Sequence, residues 1–412
     1  MQHIGFLVST LSSSGGTGRV VANVANRMVD DYEVHVIGAY HSADGEPAFA
    51  YDSRVHRLNI LPKEPRIREA NKELKKPLID YIEQNHIEVL FLIGNYQGAY
   101  TMSTMPACKS CKFVFCDHGA LMNEWNNKPI RFIRFLASVL SDMTAVLTQR
   151  SEQAYREKFH TPARKLRVIP NWIPNWQLAS APGYNKNSKR IMWAGRLDPE
   201  KGLDFLFEIA EKVLPSRPDW SWDVFGDGLI DGRTPEECQA EARARGMGDQ
   251  LRFCGSVPNL IERYQDYGIF ALTSLREGLP MVLLEAKAFS VPLVSFDVET
   301  GPSEIIVDGH DGFLVPCYDC DVFAEKLAVL MDDDSLRARF SEASQETVQK
   351  FSEDCVYEDW KSAIKQLTER GQIDGFTPRE FGAKRVGRAV RPSILDHSCI
   401  RYARHFRASA QP

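Results

Sequence analysis

Short apolar runs alternate with amphipathic stretches along most of the 412-residue chain. Each run ends at a glycine or a polar turn, and a stretch with helical spacing of apolar residues follows it. In the first half the runs are HIGFLVS, YEVHVIGA, VLFLIG, KFVFCDHG, AVLTQ and LRVIPN. Strands that alternate with helices form parallel sheets, so this pattern predicts an α/β domain.

The same alternation starts again after a break near the middle of the chain. Residues 173–188 are rich in proline, asparagine and serine and lack periodicity, which is typical of a linker between domains. Beyond it the apolar runs are RIMWAGRL, WDVFGDG, LRFCGSV, GIFALTS, PLVSF and GFLVP. We therefore predict an N-terminal domain over 1–172 and a C-terminal domain over 189–355, both doubly wound and facing each other across a central cleft.

The end of the chain differs in charge from the rest. A helical pattern over 356–370 is expected to pack back on the N-terminal domain. Within 376–412 there are eight Arg and Lys residues against two acidic ones, although the whole chain has a net charge of −5. A basic tail over 371–412 on an acidic body argues against a nucleic-acid-binding protein and leaves an anionic phospholipid surface as an open alternative.

The composition is that of an ordinary globular protein, with 43% apolar and 25% charged residues. The N-terminal apolar run is too short for a signal peptide, and no stretch is apolar enough to predict a membrane span. Nine cysteines without secretory features are expected to be reduced thiols. These features predict a cytoplasmic location, with peripheral attachment to the inner face of the plasma membrane left open.

Two glutamates lie eight positions apart in the segment SLREGLPMVLLEAKA. Proline suits the first turn of a helix, so we predict a helix from about Pro280 to Phe289, with Glu277 in the loop before it and Glu285 on the helix. The loop follows the buried strand GIFALTS and should lie at the carboxyl end of the sheet, where open α/β sheets bind ligands.

This loop has the features of an anion site. The free N–H groups of Gly278 and Leu279, together with the helix dipole, favour a diphosphate, and Glu285 can accept hydrogen bonds from sugar hydroxyls. The simpler alternative is that Glu277 is a surface loop residue and Glu285 a solvated one. The apolar neighbours of Glu285 argue against that alternative, because a buried carboxylate needs a partner or a ligand.

Three motifs follow one another in the second half of the chain: GRLDPEKG at 195–202, the Glu-x7-Glu segment with its EGLP, and TGPSEIIVDGHDGFLVP at 300–316. In this order they resemble the retaining GT-B glycosyltransferases of family 4. The resemblance extends nearly throughout 190–366. The N-terminal domain is similar more loosely, through its SGGTGRV loop and a strand-end DHG. The resemblance implies a GT-B fold, in which two Rossmann-like domains face a central cleft.

The resemblance implies roles for residues of the C-terminal domain. Arg196 and Lys201, which follow the strand RIMWAG, would hold the donor diphosphate, the first as a planar fork and the second as a point charge. Glu277 would orient the donor sugar, and Glu285 the ribose hydroxyls. Without the resemblance, a solvated turn is the more natural interpretation of GRLDPEKG.

In the N-terminal domain the resemblance singles out two positions. His118 follows the strand KFVFCD and is similar to the histidine near the reacting sugar, where a neutral imidazole can donate to a sugar hydroxyl. Gly16, in the glycine-rich loop before the first helix, would lie over the donor phosphate or the acceptor. The alternative for His118 is a capping or structural histidine, and a glycine-rich loop by itself is a weak signal. The loop lacks the GxGxxG spacing of nicotinamide-binding proteins.

Two groups of residues have spacings or residue types that are typical of metal sites. Asp319 and Asp321 have the DxD spacing that other glycosyltransferases use for a divalent metal, but their place between a strand and a helix favours a helix N-cap. Cys108, Cys111 and Cys116 lie near His118 in sequence. The strand KFVFCD should scatter these side chains, so a zinc site is not favoured.

The resemblance implies retaining, metal-independent transfer of a sugar from a nucleotide diphosphate sugar, with UDP favoured on family grounds. The acceptor would be a saccharide or lipid-linked saccharide in surface-polysaccharide synthesis, such as that of lipopolysaccharide or capsule. No cofactor is expected, since the cations and the helix N-terminus neutralise the leaving diphosphate. Two alternatives stay open: a sugar-nucleotide epimerase of GT-B architecture, and a non-catalytic sugar-nucleotide-binding protein.

Two further basic stretches lie in the N-terminal domain, at 61–76 and 127–140. The second interleaves Lys128, Arg131 and Arg134 with aromatic and aliphatic residues, a composition that suits the surface of an anionic bilayer. The alternative is an amphipathic helix that packs on the protein's own core.

Overall fold

The structure is a computed structural model that describes residues 1–12, 15–42, 46–180, 183–228 and 233–369. The basic tail predicted at 371–412 lies outside the described residues. Among the described helices, none combines the length and the apolar character that crossing a bilayer requires.

The N-terminal part of the chain builds a seven-stranded parallel sheet in the order β3-β2-β1-β4-β5-β6-β7. The strands are β1 (Gln2–Val8), β2 (Tyr32–Tyr40), β3 (His56–Leu61), β4 (Val89–Ile93), β5 (Lys112–Asp117), β6 (Met143–Val146) and β7 (Leu166–Val168). The helices between them are α1 (Gly16–Met28), α2 (Ile67–Gln84), α3 (Asn95–Tyr100), α4 (Thr104–Ala107), α5 (Lys128–Leu140) and α6 (Gln149–Phe159).

The C-terminal part builds a six-stranded parallel sheet in the order β10-β9-β8-β11-β12-β13. The segment before it carries α7 (Asn175–Ser180), and the strands are β8 (Arg190–Ala194), β9 (Ser221–Phe225), β10 (Leu251–Gly255), β11 (Ile269–Leu272), β12 (Leu293–Phe296) and β13 (Gly312–Val315). The remaining helices are α8 (Leu203–Val213), α9 (Pro235–Ala244), α10 (Met281–Ala288), α11 (Pro302–Ile305), α12 (Cys320–Asp332), α13 (Asp334–Thr347) and α14 (Glu353–Glu369).

Each apolar run of the sequence forms a strand, and the central strands are buried along almost their whole length. The sequence pattern missed β3, an edge strand with the sequence HRLNIL, because its outer residues are exposed and it has no continuous apolar run. It also missed α7, which has only six residues and so offers too few turns for a periodic pattern.

The chain passes between the two sheets twice. Ile173 forms an isolated bridge with Ser352, so the outgoing and returning segments lie side by side. Helix α14 then packs against the core of the first sheet, where the ring of Trp360 lies 5.9 Å from that of Phe6 and 4.9 Å from that of Phe91, measured between centroids. The last described helix therefore adds to the N-terminal core.

Three histidines stack across β1, β2 and β3. The ring of His35 lies 5.9 Å from that of His3 and 4.7 Å from that of His56, between centroids. His35 is 2% exposed, and its Nδ1 lies 3.0 Å from the Tyr81 hydroxyl. Its Nε2 has no hydrogen-bond partner within the described part of the chain. Burial, and then repulsion from the neighbouring histidines, lowers the pKa of His35 to about 4.

A neutral, buried His35 makes the free energy of unfolding depend on pH. Below the ordinary histidine pKa of about 6.5 the unfolded chain binds a proton that the folded protein excludes, so stability falls as the pH is lowered from 6.5 towards 4. We expect a loss of about 1 to 2 kcal/mol between pH 7.5 and pH 5, after allowing for screening by solvent. Urea unfolding at both pH values should show a shallower loss for His35→Gln; equal losses would contradict this prediction.

Candidate active site

The loop between β11 and α10 stands at the carboxyl end of the second sheet. Helix α10 begins at Met281, one residue later than predicted, and ends at Ala288, one residue earlier than predicted. The reason is that Pro280 has a ψ of 111°, which is extended, so this residue acts as the N-cap and its carbonyl accepts from the N–H groups of Leu283 and Leu284. The first turn of α10 thus has free N–H groups next to the loop.

Glu277 is held from several sides in this loop. Its carboxylate lies 2.7 Å from Nζ of Lys201, and the two side chains are only 8% and 19% exposed. The Glu277 carbonyl accepts from the Thr300 hydroxyl at 2.7 Å and from the Asn123 amide at 2.9 Å. Asn123 belongs to the N-terminal part of the chain, so the first domain contacts this loop directly.

The GRLDPEKG motif places Lys201 at the end of a turn of 3-10 helix, Pro199–Lys201. Gly202 follows with a φ of +64°, and a Cβ on it would lie 2.1 Å from the carbonyl oxygen of Thr273. Only glycine fits there, and this contact brings the motif against the end of β11. Lys201 and Glu277 are 76 positions apart, and the sequence did not indicate that they form an ion pair.

His118 lies just after β5, and its backbone contacts the same loop, but the residue lines a separate cavity within the first domain. A Cβ on Gly278 would lie 2.6 Å from the backbone oxygen of His118, so glycine is what lets the two domains meet here. Burial lowers the pKa of His118 to about 4, partly offset by Asp117, which leaves the imidazole neutral at physiological pH. The buried Asp117 accepts from the Arg134 guanidinium at 3.0 Å and from the Tyr155 hydroxyl at 2.8 Å, which fixes the strand end beneath His118.

Glu285 is buried within α10, with a side chain only 5% exposed. Its Oε1 lies 2.5 Å from Nη2 of Arg19, and its Oε2 accepts from the Tyr264 hydroxyl at 2.9 Å. Burial raises the pKa of Glu285, and Arg19 and Tyr264 act in the opposite direction. Arg19 stands on α1 of the other domain, and the sequence offered no signal for this pairing.

The predicted donor residues border two neighbouring cavities. The larger, of about 660 Å³, is lined by Arg19, Arg196, Gly226 and Glu285. The smaller, of about 220 Å³, is lined by Arg196, Lys201, Glu277 and Gly278 together with four residues of the N-terminal segment 119–124. Arg196 is 78% exposed and pairs with Asp198 at 3.0 Å. Arg196 borders both cavities, so the two are adjacent.

Two residues that were predicted to bind the donor diphosphate line neither cavity. Leu279 is 4% exposed and packs in the hydrophobic core, so only its backbone can face a ligand. Gly16 begins α1, and a Cβ on it would meet open space, so no contact within the protein requires glycine there. The smaller cavity also contains Glu124 and Arg276, which the sequence interpretation did not single out.

The two apparent metal motifs have structural explanations. Asp319 is the N-cap of α12 and accepts from the N–H of Val322 at 3.0 Å, which confirms the predicted cap. Cys108 and Cys111 pack in one hydrophobic cluster, and Cys116 packs in another.

Two family models match successive parts of the chain. Residues 14–175 match the family described as Glycosyltransferase Family 4, and residues 175–347 match Glycosyl transferases group 1. A crystal structure of a point mutant of Staphylococcus aureus TarM with fondaparinux, alpha-GlcNAc-glycerol and UDP superposes with a TM-score of 0.73 at 14% identity, covering 88% of this chain and 100% of that one. The GT-B fold predicted from the sequence is thereby confirmed.

Three named bacterial proteins are similar to most of this chain. The amylovoran biosynthesis glycosyltransferase AmsD of Erwinia amylovora is 24% identical over 87% of this chain and 98% of its own length. A GalNAc-alpha-(1->4)-GalNAc-alpha-(1->3)-diNAcBac-PP-undecaprenol alpha-1,4-N-acetyl-D-galactosaminyltransferase of Campylobacter jejuni is 25% identical over 89% and 99%. The exopolysaccharide phosphotransferase SCO2592 of Streptomyces coelicolor is 26% identical over 89% of this chain, which spans only 41% of that protein. The two family matches and the two relatives named as glycosyltransferases support a GT-B glycosyltransferase similar to family 4.

Proposed function

We propose that the protein is a retaining glycosyltransferase. It transfers a sugar from a UDP-sugar to a saccharide or lipid-linked saccharide acceptor in surface-polysaccharide synthesis. The observation that carries the proposal is the small cavity bordered by Lys201 and Glu277, beside the backbone contact of His118 with Gly278 and next to a larger cavity bordered by Arg196 and Glu285. The shapes suit a donor whose nucleotide occupies the larger space and whose sugar occupies the smaller one.

The donor diphosphate would lie where the two cavities meet. Arg196 and Lys201 supply two cations there, and the N–H groups of Gly278 and Leu279 precede the first turn of α10. These groups can neutralise the charge that develops on the leaving diphosphate, so the proposed reaction needs no metal ion. Gly16, at the start of α1, would approach the same phosphates from the other domain.

The reacting sugar would lie between Glu277 and His118. The carboxylate of Glu277 can accept from a sugar hydroxyl while Lys201 holds its orientation. The neutral imidazole of His118 can donate to another hydroxyl or stabilise charge near the anomeric carbon. We propose attack on the same face as the leaving group, with the leaving phosphate accepting the proton of the acceptor.

The relatives suggest the kind of acceptor. The name of the Campylobacter jejuni enzyme includes an undecaprenol-linked saccharide, and the TarM structure contains UDP together with a GlcNAc-glycerol. From both names we propose that this protein uses a UDP-linked donor and a saccharide acceptor that is attached to a lipid.

The donor proposal predicts thermal stabilisation by a nucleotide. UDP should raise the unfolding temperature more than GDP or ADP, with a gain of about 2.7 kcal/mol in the free energy of unfolding when its concentration is a hundred times its Kd.

With a UDP-sugar and an acceptor pool, product analysis should show the donor's anomeric configuration retained, and a chelator should leave the activity intact. Inversion of configuration, or loss of activity with the chelator, would contradict the mechanism; release of an epimerised sugar nucleotide without acceptor would favour the epimerase.

We further propose that α5 rests on an anionic bilayer. Phe132, Phe135 and Val139 lie on one face of this helix and are 59%, 38% and 53% exposed. Lys128 lies exposed at the start of the same helix. Arg134, however, is only 1% exposed and pairs with Asp117, so it does not belong to this surface as the sequence pattern predicted.

The membrane proposal predicts salt-sensitive co-sedimentation with vesicles that contain acidic phospholipids. The attraction of Lys128 to acidic headgroups is screened by salt, so binding should fall at high salt. Removing an exposed aromatic ring lowers the apolar area that the bilayer buries, so binding should also fall in a Phe132→Ser variant. An exposed polar position on another helix, changed as Gln153→Ser, provides a control that should bind as the wild type does. Absence of co-sedimentation at low salt would instead favour a soluble acceptor.

A further inference from the structure

Arg19 connects the two domains at the larger cavity. It stands in the first turn of α1, and its Nη2 lies 2.5 Å from Oε1 of Glu285 on α10. The Arg19 side chain is 39% exposed, whereas that of Glu285 is 5% exposed, so the contact joins a buried carboxylate to a cation at the cavity surface. The N-terminal domain thus supplies the counter-charge of a residue in the C-terminal domain.

The surroundings of Glu285 make this counter-charge consequential. Among the residues that the structure describes, the carboxylate bonds Arg19 and the hydroxyl of Tyr264, which belongs to the 3-10 segment Leu260–Asp266. The residues directly before and after it on α10 are apolar, and Arg196, the other cation that lines the cavity, pairs with Asp198. Burial raises the pKa of Glu285. Without Arg19, the pKa of Glu285 would rise further, because only Tyr264 would then act against burial.

We infer that Arg19 is a positioning residue of the nucleotide site, which keeps Glu285 ionised and oriented so that this carboxylate accepts the ribose hydroxyls of the donor. The inference rests on the proposed function. A carboxylate offers about four lone-pair positions, of which Arg19 and Tyr264 use two, so acceptor capacity is left for a ribose. The donor site is then complete only when both domains contribute.

The test is calorimetric titration of UDP into the full chain at pH 8 and pH 6. Arg19→Gln should weaken UDP binding about tenfold at pH 8, and the ratio of variant to wild-type Kd should rise further at pH 6. Taking the ratio cancels the titration of the UDP phosphate itself, which occurs near pH 6. Arg19→Lys should restore most of the affinity, because it returns the charge.

A matched control lies on the same helix. Arg27 also forms an ion pair across elements, with Glu353 at 3.2 Å, and it is 30% exposed, but it does not line the cavity. Arg27→Gln should bind UDP as the wild type does at both pH values. In a Glu285→Gln background, affinity should be low and adding Arg19→Gln should change neither the affinity nor its dependence on pH, which separates action through Glu285 from direct binding.

Several results would overturn the inference. Arg19→Gln with wild-type Kd values, or with a Kd ratio that does not change with pH, would show that Arg19 only holds the domains together. Tighter UDP binding by Arg19→Gln would show that Arg19 competes with the ribose. A wild-type protein that binds no UDP would contradict the proposed function and remove the inference with it, whereas normal wild-type binding with an indifferent Arg19 would contradict the inference alone.

Discussion

Replacing Glu277 with glutamine is expected to lower the turnover number about ten- to hundredfold while leaving the affinity for UDP nearly unchanged. The carboxylate lies in the smaller cavity and accepts from Lys201 at 2.7 Å. Glutamine keeps the shape but removes the charge, so the amide holds both Lys201 and a sugar hydroxyl less well. The larger cavity and its Glu285 are not altered, which is why nucleotide binding should persist.

The measurement is a comparison of kcat, KM for the UDP-sugar and Kd for UDP. Glu299, an exposed glutamate of the same domain, provides the matched control: Glu299→Gln makes the same chemical change outside both cavities and should leave all three values unchanged. A Glu277→Gln enzyme with wild-type turnover would exclude a role of this carboxylate in the reaction. A loss of UDP affinity with unchanged kcat would place it in the nucleotide site instead.

Replacing Lys287 with methionine is expected to lower the free energy of unfolding by about 3 to 5 kcal/mol. Lys287 follows Glu285 by two residues on α10, and its Nζ lies 2.5 Å from the carboxylate of Asp311, with both side chains 0% exposed. It also donates to the carbonyl of Ile305 at 2.8 Å. Methionine would leave the Asp311 charge buried without a cation, and this uncompensated charge dominates the loss.

Urea unfolding of Lys287→Met and of Lys287→Met with Asp311→Asn tests this prediction. Asparagine keeps an acceptor for the N–H of Val307, which Asp311 bonds at 2.9 Å, and carries no charge, so the double variant should recover much of the lost stability. A single variant within about 1 kcal/mol of the wild type would show that water reaches Asp311 or that it is protonated. Since the pair fixes α10 to the segment after α11, loss of stability and loss of UDP affinity should accompany each other.

Local patterns predicted most of the framework. The alternation of apolar runs with amphipathic stretches predicted both parallel sheets, because a strand buried on both faces must be apolar along its length. The edge strand β3 and the short helix α7 were missed for the converse reason, since a half-exposed strand and a helix under two turns carry little periodic signal. Pro280 was correctly taken as a helix start, although as the N-cap rather than the first helical residue.

What the sequence by itself determined was therefore the fold class and the residue types at the ends of the strands, including the Glu-x7-Glu segment and GRLDPEKG. Only the tertiary structure decided the partners: Lys201 for Glu277, Arg19 for Glu285, and Arg134 for Asp117 beneath His118. The structure also shows that Arg134, which was predicted to lie on a lipid-facing surface, forms a buried ion pair. The physical reason is that strand and helix signals arise from neighbouring residues, whereas a buried carboxylate takes whichever cation the packing of two domains brings to it, and Arg19 and Glu285 are 266 positions apart.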